Sequence, residues 1–439
     1  MSGEVTSNSV LLQTRLTSTK VLDEDLDLPG IDGVVIFEWA DNRDFNASQR
    51  TPSKDAMDEH DFIVRHELTG LRAGTTYFYR ALHGFDEDNL QVGATCSFKT
   101  LPGAGSAETV RFVMGSCINY NKFMHGKAGN ASGPETATEE DKRLGFPSFA
   151  TMKEFDPDFF IGTGDIVYYD NKINNASRVN ELRQCWHEQF RFPRMIEFFA
   201  NVPGYWSKDD HDFRFNDSDN AGDRAPSPKT GIDLFREQMP ILAMHDRKSP
   251  TYRTHRINEH VQLWFTEGRD YRSANRSQDG PDKTLWGPGQ FKWLKRTLKD
   301  SDAKWKIMIT PTPMVGPDLA KKTDNHTNLG GFQHEANEFF TWLDEAGIEL
   351  LTFCGDRHWQ YHSIHPSGVE EFACGTLNDE NSRMGVVPGS IKGTDPKGLI
   401  KQPYTYSEPR GGFLFVEAAA TLAIRFHDTR GNLQYAVKK

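Results

Sequence analysis

The stretch DFFIGTGDIVYY, residues 158–169, is an apolar run that ends in a Gly-Asp turn. A short apolar run closed by such a turn is typical of a buried strand. Further apolar runs lead into polar residues in the same way: RFVMG before Ser116 and Cys117, VPGYWSK before Asp209–Asp212, and ELLTFCG before Asp356 and His358. Ligands of open α/β sheets lie beyond the carboxyl ends of strands, so we expect these side chains to meet at one edge.

Strand-like and helix-like segments alternate on both sides of this stretch. VQLWFTEG and KWKIMIT are typical of strands, and GQFKWLKRTLKD and EANEFFTWLDEAG of amphipathic helices. This alternation predicts an α/β domain. We also expect a long helical region over residues 178–200. The segments EEFACG, GGFLFVEA and TLAIRFHD predict consecutive strands that close a second sheet near the C-terminus.

Residues 10–100 have a different texture. The runs GVVIFEWA, DFIVRHEL, TTYFYRAL and ATCSFKT are β-rich and are separated by clusters of Gly, Pro, Asn and Asp. They predict an all-β antiparallel sandwich, and LRAGTTYFYRA resembles a segment of fibronectin III-like modules. The segment LPGAGSAE, residues 101–108, is typical of a linker. We therefore predict a β-sandwich over residues 1–103 and a second domain over residues 108–439.

Composition excludes several classes of protein. The chain has 439 residues, of which 37 % are hydrophobic, so it can bury a core and is not intrinsically disordered. Its net charge of −11 argues against nucleic acid or an anionic membrane surface as the main partner. It has no apolar run long enough to span a membrane. Its five cysteines form no CxxC pair and do not suggest a disulfide framework.

Two segments carry less specific signals. The first ten residues have neither a charged region nor an apolar region of a signal peptide, so we expect either a cytoplasmic protein or a chain already trimmed. Residues 125–145 are polar and rich in Gly and Ala, which predicts an inserted mobile loop. Such a loop would be either a lid over a site or a decoration without function.

The residues at the strand ends suit the hydrolysis of phosphate esters. That reaction needs a nucleophilic oxygen, neutralisation of charge and an acid for the leaving group, and two cations about 3.5–4 Å apart can clamp both reacting oxygens. Asp165 is the best candidate for a bridging carboxylate. Carboxylates suit Ca²⁺, Mg²⁺ or Mn²⁺, whereas the Cys117 thiolate and the Tyr168 phenolate suit ferric iron. Each residue alone has a structural explanation, but the ordered set predicts a polynuclear metal site.

The same motifs resemble the PhoD-like alkaline phosphatases of the calcineurin-like metallophosphoesterase superfamily, over nearly the whole chain. The matching motifs are Ser116-Cys117, Gly164–Tyr168 (GDIVY), Asp209–Asp212 (DDHD) with Asn216-Asp217, Thr266–Arg272 (TEGRDYR), Gly287–Leu294 and Gly355–His358 (GDRH). The resemblance implies an αββα metallophosphoesterase sandwich preceded by the β-domain. It also implies a metal-dependent phosphomonoesterase or phosphodiesterase acting on a small phosphate ester.

The resemblance further implies roles for individual residues. Iron(III) would be bound by Cys117, Asp165, Tyr168 and His358. Calcium, or Mg²⁺ or Mn²⁺ in its place, would be bound by Asp165, Asp210 and Asp356. Among the catalytic residues, His211 would act as acid or phosphate contact paired with Asp212, and Arg269 and Arg357 would neutralise phosphate oxygens. Asn216 would contact the substrate. Lys208, which is not part of the family pattern, would either face the substrate as an extra cation or be exposed to solvent.

This chain departs from the family pattern at two positions. Glu267 stands where the family usually has Asp, and Lys208 stands where it usually has Trp before Asp-Asp-His. Members of the family are usually exported, which the N-terminus does not suggest. Alternative functions are a phospholipase D-type diesterase on the same scaffold, a surface- or carbohydrate-binding protein with a decayed hydrolase domain, and a structural calcium-binding protein. A decayed hydrolase domain would lack some metal ligands, and none is clearly missing. A structural calcium site would not explain Cys117 and Tyr168 at the same edge.

Overall fold

The computed structural model describes residues 1–126, 137–170 and 175–439. The N-terminal strands are β1 (Ser2–Gly3), β2 (Ser9–Arg15), β3 (Gly33–Ala40), β4 (Gln49–Arg50), β5 (Lys54–Ala56), β6 (Ile63–Thr69), β7 (Thr76–Gly84), β8 (Gln91–Val92) and β9 (Cys96–Lys99). The later strands are β10 (Val110–Gly115), β11 (Phe159–Thr163), β12 (Gly204–Ser207), β13 (Arg253–Arg256), β14 (Val261–Phe265), β15 (Trp305–Thr310), β16 (Leu351–Cys354), β17 (Gln360–Ile364), β18 (Glu370–Cys374), β19 (Lys401–Thr405), β20 (Gly412–Ala418), β21 (Leu422–Asp428) and β22 (Leu433–Lys438).

The helices follow β10 in the chain. They are α1 (Tyr120–His125), α2 (Glu139–Leu144), α3 (Pro147–Glu154), α4 (Val179–Phe190), α5 (Pro193–Phe199), α6 (Pro228–Gln238), α7 (Gly287–Asp300) and α8 (Gln333–Glu345), with short 3₁₀ turns at Asp58–His60 and Asp379–Asn381. Within the described ranges, no helix is both long and apolar enough to cross a membrane.

Two large sheets form the centre of the molecule. One has nine strands in the order β22-β21-β20-β10-β11-β12-β1-β2-β6, and the other has seven in the order β13-β14-β15-β16-β18-β17-β19. Strands β10, β11 and β12 are parallel, as are β14, β15, β16 and β18. Their carboxyl ends are therefore grouped, which is the arrangement that positions the site.

Side chains alternate between the two faces of each strand. Phe112 and Ile161 of the first sheet pack in one core with Ile309 and Phe353 of the second. In the first sheet, the next residues along each strand point to the opposite face, since a strand has a period of two. They pack against α3, α4, α5 and α6. Helices α7 and α8 cover the outer face of the second sheet. The layers are helix, sheet, sheet and helix, so the prediction of an α/β fold is confirmed.

The N-terminal strands are divided between two sheets. Strand β1 pairs in parallel with β12, with Gly3 opposite Gly204, and β2 and β6 extend the nine-stranded sheet. The other six form a third sheet around β3 and β7. The fibronectin III-like architecture is therefore not confirmed, because part of the predicted sandwich completes a sheet of the larger fold.

A histidine also links the N-terminal region to the helices. His187 of α4 contacts two carboxylates, Asp27 through Nδ1 at 2.6 Å and Asp61 through Nε2 at 2.7 Å. Asp61 in turn accepts hydrogen bonds from Arg15. The contact joins α4 to two N-terminal loops.

Two local predictions need correction, and a third is refined. The C-terminal strands do not close one sheet: β18 belongs to the seven-stranded sheet, whereas β20 pairs with β10. The helical region expected over residues 178–200 is present as two helices, because Pro193 cannot continue α4 and begins α5. Residues 127–136 of the predicted loop over 125–145 lie outside the described residues, and its described C-terminal part contains α2 rather than a loop.

Candidate metal centre

The predicted site residues lie just beyond four strand ends. Cys117 follows β10, Asp165 and Tyr168 follow β11, Asp209–His211 follow β12, and Asp356 and His358 follow β16. All are buried, with 6–8 % of Tyr168, His211, Asp356 and His358 still exposed. Strands β10, β11 and β12 are parallel in one sheet, and β16 is parallel to its neighbours in the other. The carboxyl ends of these strands bring residues distant in sequence into one cluster.

Three of these residues have an unusual backbone conformation. Cys117, Asp165 and Asp356 have φ of 56°, 55° and 59°, in the left-handed region. Each such residue other than glycine costs on the order of 1–3 kcal/mol and persists only where its surroundings impose it. The turns after β10, β11 and β16 therefore hold these side chains at an energetic cost.

The first group of candidate ligands is the one expected for iron. The ligand atoms of Cys117, Asp165 and His358 all lie within 4.8 Å of one another. The Tyr168 hydroxyl donates to Oδ2 of Asp165 at 3.2 Å and lies 3.5 Å from Nε2 of His358. Thiol, carboxylate, phenol and imidazole thus converge on one small volume.

Two further groups share the Asp165 carboxylate. One combines it with Asp210 and His211, and the other with Asp209 and Asp356. The backbone N–H of His211 donates to Asp165 Oδ1 at 3.4 Å and to Asp210 Oδ1 at 3.1 Å. A carboxylate common to three groups is suited to bridge cations, which is the role predicted for Asp165.

A fourth group contains residues that the sequence did not single out as ligands. It joins Asp210 to Asp217 and Asp324. Neither carboxylate oxygen of Asp324 has a hydrogen-bond partner among the described residues, although Lys322 Nζ lies 3.7 Å away. Asp217 follows the DDHD motif closely and could have been found from it. Asp324 lies in a loop without a motif, so only the tertiary structure shows its position.

The electrostatics of the carboxylates fit bound cations. Burial and the charge of Asp210 raise the pKa of Asp165, and burial, opposed by Arg269, raises the pKa of Asp209. Oδ2 of Asp209 is buried without a hydrogen-bond partner among the described residues. Buried carboxylates this close repel one another, and multivalent cations would neutralise them.

The other candidate ligands also suit metal binding. Burial, assisted by Arg383 and Lys122, lowers the pKa of His358 far below its ordinary value, so the imidazole is neutral, as a metal ligand must be. Burial and Asp165 raise the pKa values of Cys117 and Tyr168. Their protons would be displaced by a cation, because a coordinating thiol or phenol binds in its ionised form.

His211 has a different partner from the one predicted. Its Nδ1 lies 2.6 Å from Asp170 Oδ1, whereas Asp212 accepts the backbone N–H groups of Ile166 at 2.9 Å and Asp209 at 2.6 Å. Burial opposes a charged ring, but the carboxylates of Asp210, Asp165 and Asp170 raise the pKa of His211 to about 10. Asp212 therefore joins the loops after β11 and β12, and Asp170 is the partner that orients the histidine.

The two arginines predicted to bind phosphate are both fully buried. Arg269 Nε donates to Asp209 Oδ1 at 2.7 Å and its Nη1 donates to the Ser218 carbonyl at 2.7 Å. Arg357 pairs with Asp318 and Asp356. Both guanidinium groups are held by aspartates of the cluster or next to it, so they brace carboxylates instead of projecting towards a substrate.

The structure also corrects the role predicted for Lys208. Its side chain is 1 % exposed and its Nζ lies 2.7 Å from Glu267 Oε2, with Asp270 as a second partner. The two departures from the family pattern therefore form one buried ion pair. Asn216 is exposed, and its backbone N–H donates to Asp170 Oδ2 at 2.8 Å, so it lies beside the His211 partner.

Comparison with known families decides the relationship of this chain. The model of the PhoD-like phosphatase family matches residues 112–395, and the model of the PhoD-like phosphatase N-terminal domain matches residues 1–102. The chain belongs to the PhoD-like phosphatase family. The resemblance predicted from the motifs is confirmed.

Individual relatives agree with this PhoD-like assignment. Alkaline phosphatase D of Bacillus subtilis (strain 168) is 23 % identical over 332 residues, which are 70 % of this chain and 54 % of the relative. This chain thus spans about half the length of that curated protein. A solved structure described as PhoD aligns with a TM-score of 0.75 at 18 % identity, covering 99 % of this chain and 87 % of the other.

A purple acid phosphatase has a similar fold. The enzyme PPD1 from yellow lupin (Lupinus luteus) seeds aligns with a TM-score of 0.65 at 12 % identity, covering 99 % of this chain and 72 % of the other. At such identities the two structures establish the fold only. It is a mixed α/β fold similar to the folds of these two phosphatases, and this PhoD-like chain places its cluster of candidate ligands in it.

Proposed function

We propose that this chain hydrolyses small phosphate esters with iron(III) and calcium as its metal ions. The observation that carries the proposal is the convergence of Cys117, Tyr168 and His358 on Asp165, which also forms groups with Asp210 and with Asp356. Iron would be held by the thiol, phenol and imidazole, and calcium by the carboxylates. When bound, the cations supply positive charge that neutralises the phosphoryl oxygens and favours attack by water.

The residues of the chain itself contribute orientation and proton transfer. The Asp170 carboxylate at Nδ1 of His211 favours the protonated ring and fixes its plane. The ring lies against Tyr168, with centroids 4.2 Å apart. His211 Nε2 can therefore donate a proton to the leaving oxygen of the ester. Arg269 holds Asp209 in place, so that the carboxylates keep their positions as charge develops.

Asp165→Asn tests the proposal. The variant should lose most of its bound metal and its hydrolysis of phenyl phosphate and of the corresponding diester, because the shared carboxylate is weakened as a ligand. Elemental analysis and a visible tyrosinate-to-iron absorption band report the metals, and initial rates report the activity. Asp344→Asn, at an exposed aspartate on α8, is the control. Full turnover by the Asp165 variant would refute the proposed centre, and a protein without iron would refute the metal assignment.

A further inference from the structure

Two partly exposed cationic side chains lie beside the metal cluster and have no carboxylate partner among the described residues. Lys122 of α1 donates from Nζ to the amide oxygen of Asn381 at 2.9 Å. The Arg383 guanidinium carbon lies 5.6 Å from the centroid of the Trp359 ring. Over residues 1–126, 137–170 and 175–439, neither cation is within ion-pair distance of a carboxylate, in a chain whose net charge is −11. The structure thus keeps positive charge here despite an excess of acidic residues.

Three other cations beside the cluster are paired with carboxylates, whereas the buried Arg272 donates to the Asn275 amide oxygen and the Asp324 carbonyl. Arg269 pairs with Asp209, Arg357 with Asp318 and Asp356, and Lys322 with Asp217 at 2.8 Å. Those pairs stabilise the carboxylates of the site. Among the described residues, no carboxylate pairs with Lys122 or Arg383, so their charges can act on a ligand.

Short contacts connect this cationic pair to the predicted iron side of the cluster. Asn381, which accepts from Lys122, donates to the Tyr168 hydroxyl at 3.1 Å. The backbone N–H of Arg383 donates to the carbonyl of His358 at 3.1 Å. The pair is therefore adjacent to the reacting centre but separated from Asp165 by intervening side chains. An anion held by the two cations would therefore lie on the Tyr168 and His358 side of the cluster.

Such an arrangement favours a bound anion. Lys122 is partly buried, and its pKa is lowered first by burial and then by repulsion from the positive charge of Arg383. A carboxylate or phosphate group placed between them would remove that repulsion and accept charge-assisted hydrogen bonds. Both residues keep part of their surface exposed, so a ligand can reach them.

We propose that Lys122 and Arg383 form a subsite for a second anionic group on the substrate, carried by the leaving group of the phosphate ester. This inference rests on the proposed function and adds to it a substrate class: esters whose leaving group bears a carboxylate or a further phosphate. Substrates with neutral leaving groups lack the group that the pair would hold.

A matched pair of substrates tests this subsite in the metal-loaded protein. They are 3-carboxyphenyl phosphate and its neutral 3-carbamoyl analogue. The wild-type protein should prefer the carboxylate in kcat/KM, and this preference should fall about tenfold in Lys122→Met and in Arg383→Gln, since each removes a charge-assisted hydrogen bond. Lys122→Arg should retain the preference, as should Lys292→Met at an exposed lysine of α7. Added salt should reduce the preference, because it screens exposed charges.

Calorimetric binding of the non-hydrolysable 3-carboxybenzylphosphonate and its carboxamide separates this inference from the proposed function. A preference for the carboxylate that Lys122→Met and Arg383→Gln reduce supports the subsite, even if neither ester is cleaved and the proposed function fails. Equal binding of the two phosphonates by the wild-type protein overturns the subsite. Equal losses for both ligands in the variants also overturn it, because the cations would then act on the phosphoryl group itself.

Discussion

Lys208→Met removes the cation of a buried ion pair, and we expect it to destabilise the protein strongly. The Lys208 and Glu267 side chains are 1 % and 3 % exposed, and Nζ lies 2.7 Å from Oε2. Glu267 also accepts the hydroxyl of Thr251 at 2.9 Å and the N–H of Arg269 at 2.7 Å. Without the ammonium group, Glu267 and Asp270 would be buried beside each other with their main cation missing.

The magnitude follows from this geometry. At 2.7 Å and an effective dielectric constant of about 20, the attraction between the two charges is about 6 kcal/mol. Desolvation offsets part of it, and removal of one partner from a buried pair typically costs about 3–5 kcal/mol. Burial and the charge of Glu267 raise the pKa of Asp270 to about 6. Protonation of Asp270 should therefore recover part of the loss in mildly acidic buffer.

Urea unfolding, followed by tryptophan fluorescence, measures the effect as a shift in the transition midpoint. Lys295→Met is the matched control, because Lys295 and Glu338 are also 2.7 Å apart but are 24 % and 52 % exposed. We expect the control to lose less than about 1 kcal/mol. The reasoning is refuted if Lys208→Met loses no more stability than Lys295→Met.

Two further predictions concern the N-terminal contact and the turn before Asp165. Burial opposes protonation of His187, but hydrogen bonds to its two flanking aspartates raise its pKa above the ordinary 6.5. The stabilisation of the fold by the charged His187 should therefore be complete below pH 6.5 and be lost as the pH rises through the raised pKa. The unfolding midpoints of the wild type and of His187→Gln should then converge at alkaline pH. Gly164 has φ of 82°, and a Cβ there would lie 2.6 Å from Asp209 Cβ, whereas Gly347 has φ of 62° and no atom within 4 Å of such a Cβ. Alanine at either position should cost about 1–2 kcal/mol of backbone strain, but only Gly164→Ala should also lose metal and hydrolysis; equal activity in the two variants would contradict this reading of the turn.

Much of the fold and of the site could be predicted from local sequence. The strand ending at Thr163 was recognisable because apolar residues are contiguous and a Gly-Asp turn closes them. Cys117, Asp165 and His358 could be predicted to share one site, because the polar residues that follow parallel strands lie at the same edge of a sheet. The prediction failed at the C-terminus, where β20 pairs with β10. Strand order depends on contacts between residues far apart in the chain. An apolar run predicts a strand but does not indicate which other strand will pair with it.

The sequence by itself determined which side chains could bind metal and that several strands would present them together. Only the tertiary structure decided the partners: Asp170 for His211, Glu267 for Lys208, and no carboxylate among the described residues for Lys122. The physical reason is that strand formation depends on neighbouring residues, whereas an ion pair depends on which loops packing brings within a few ångströms. The same two departures from the family pattern that looked independent in the sequence are, in the folded chain, a single buried contact.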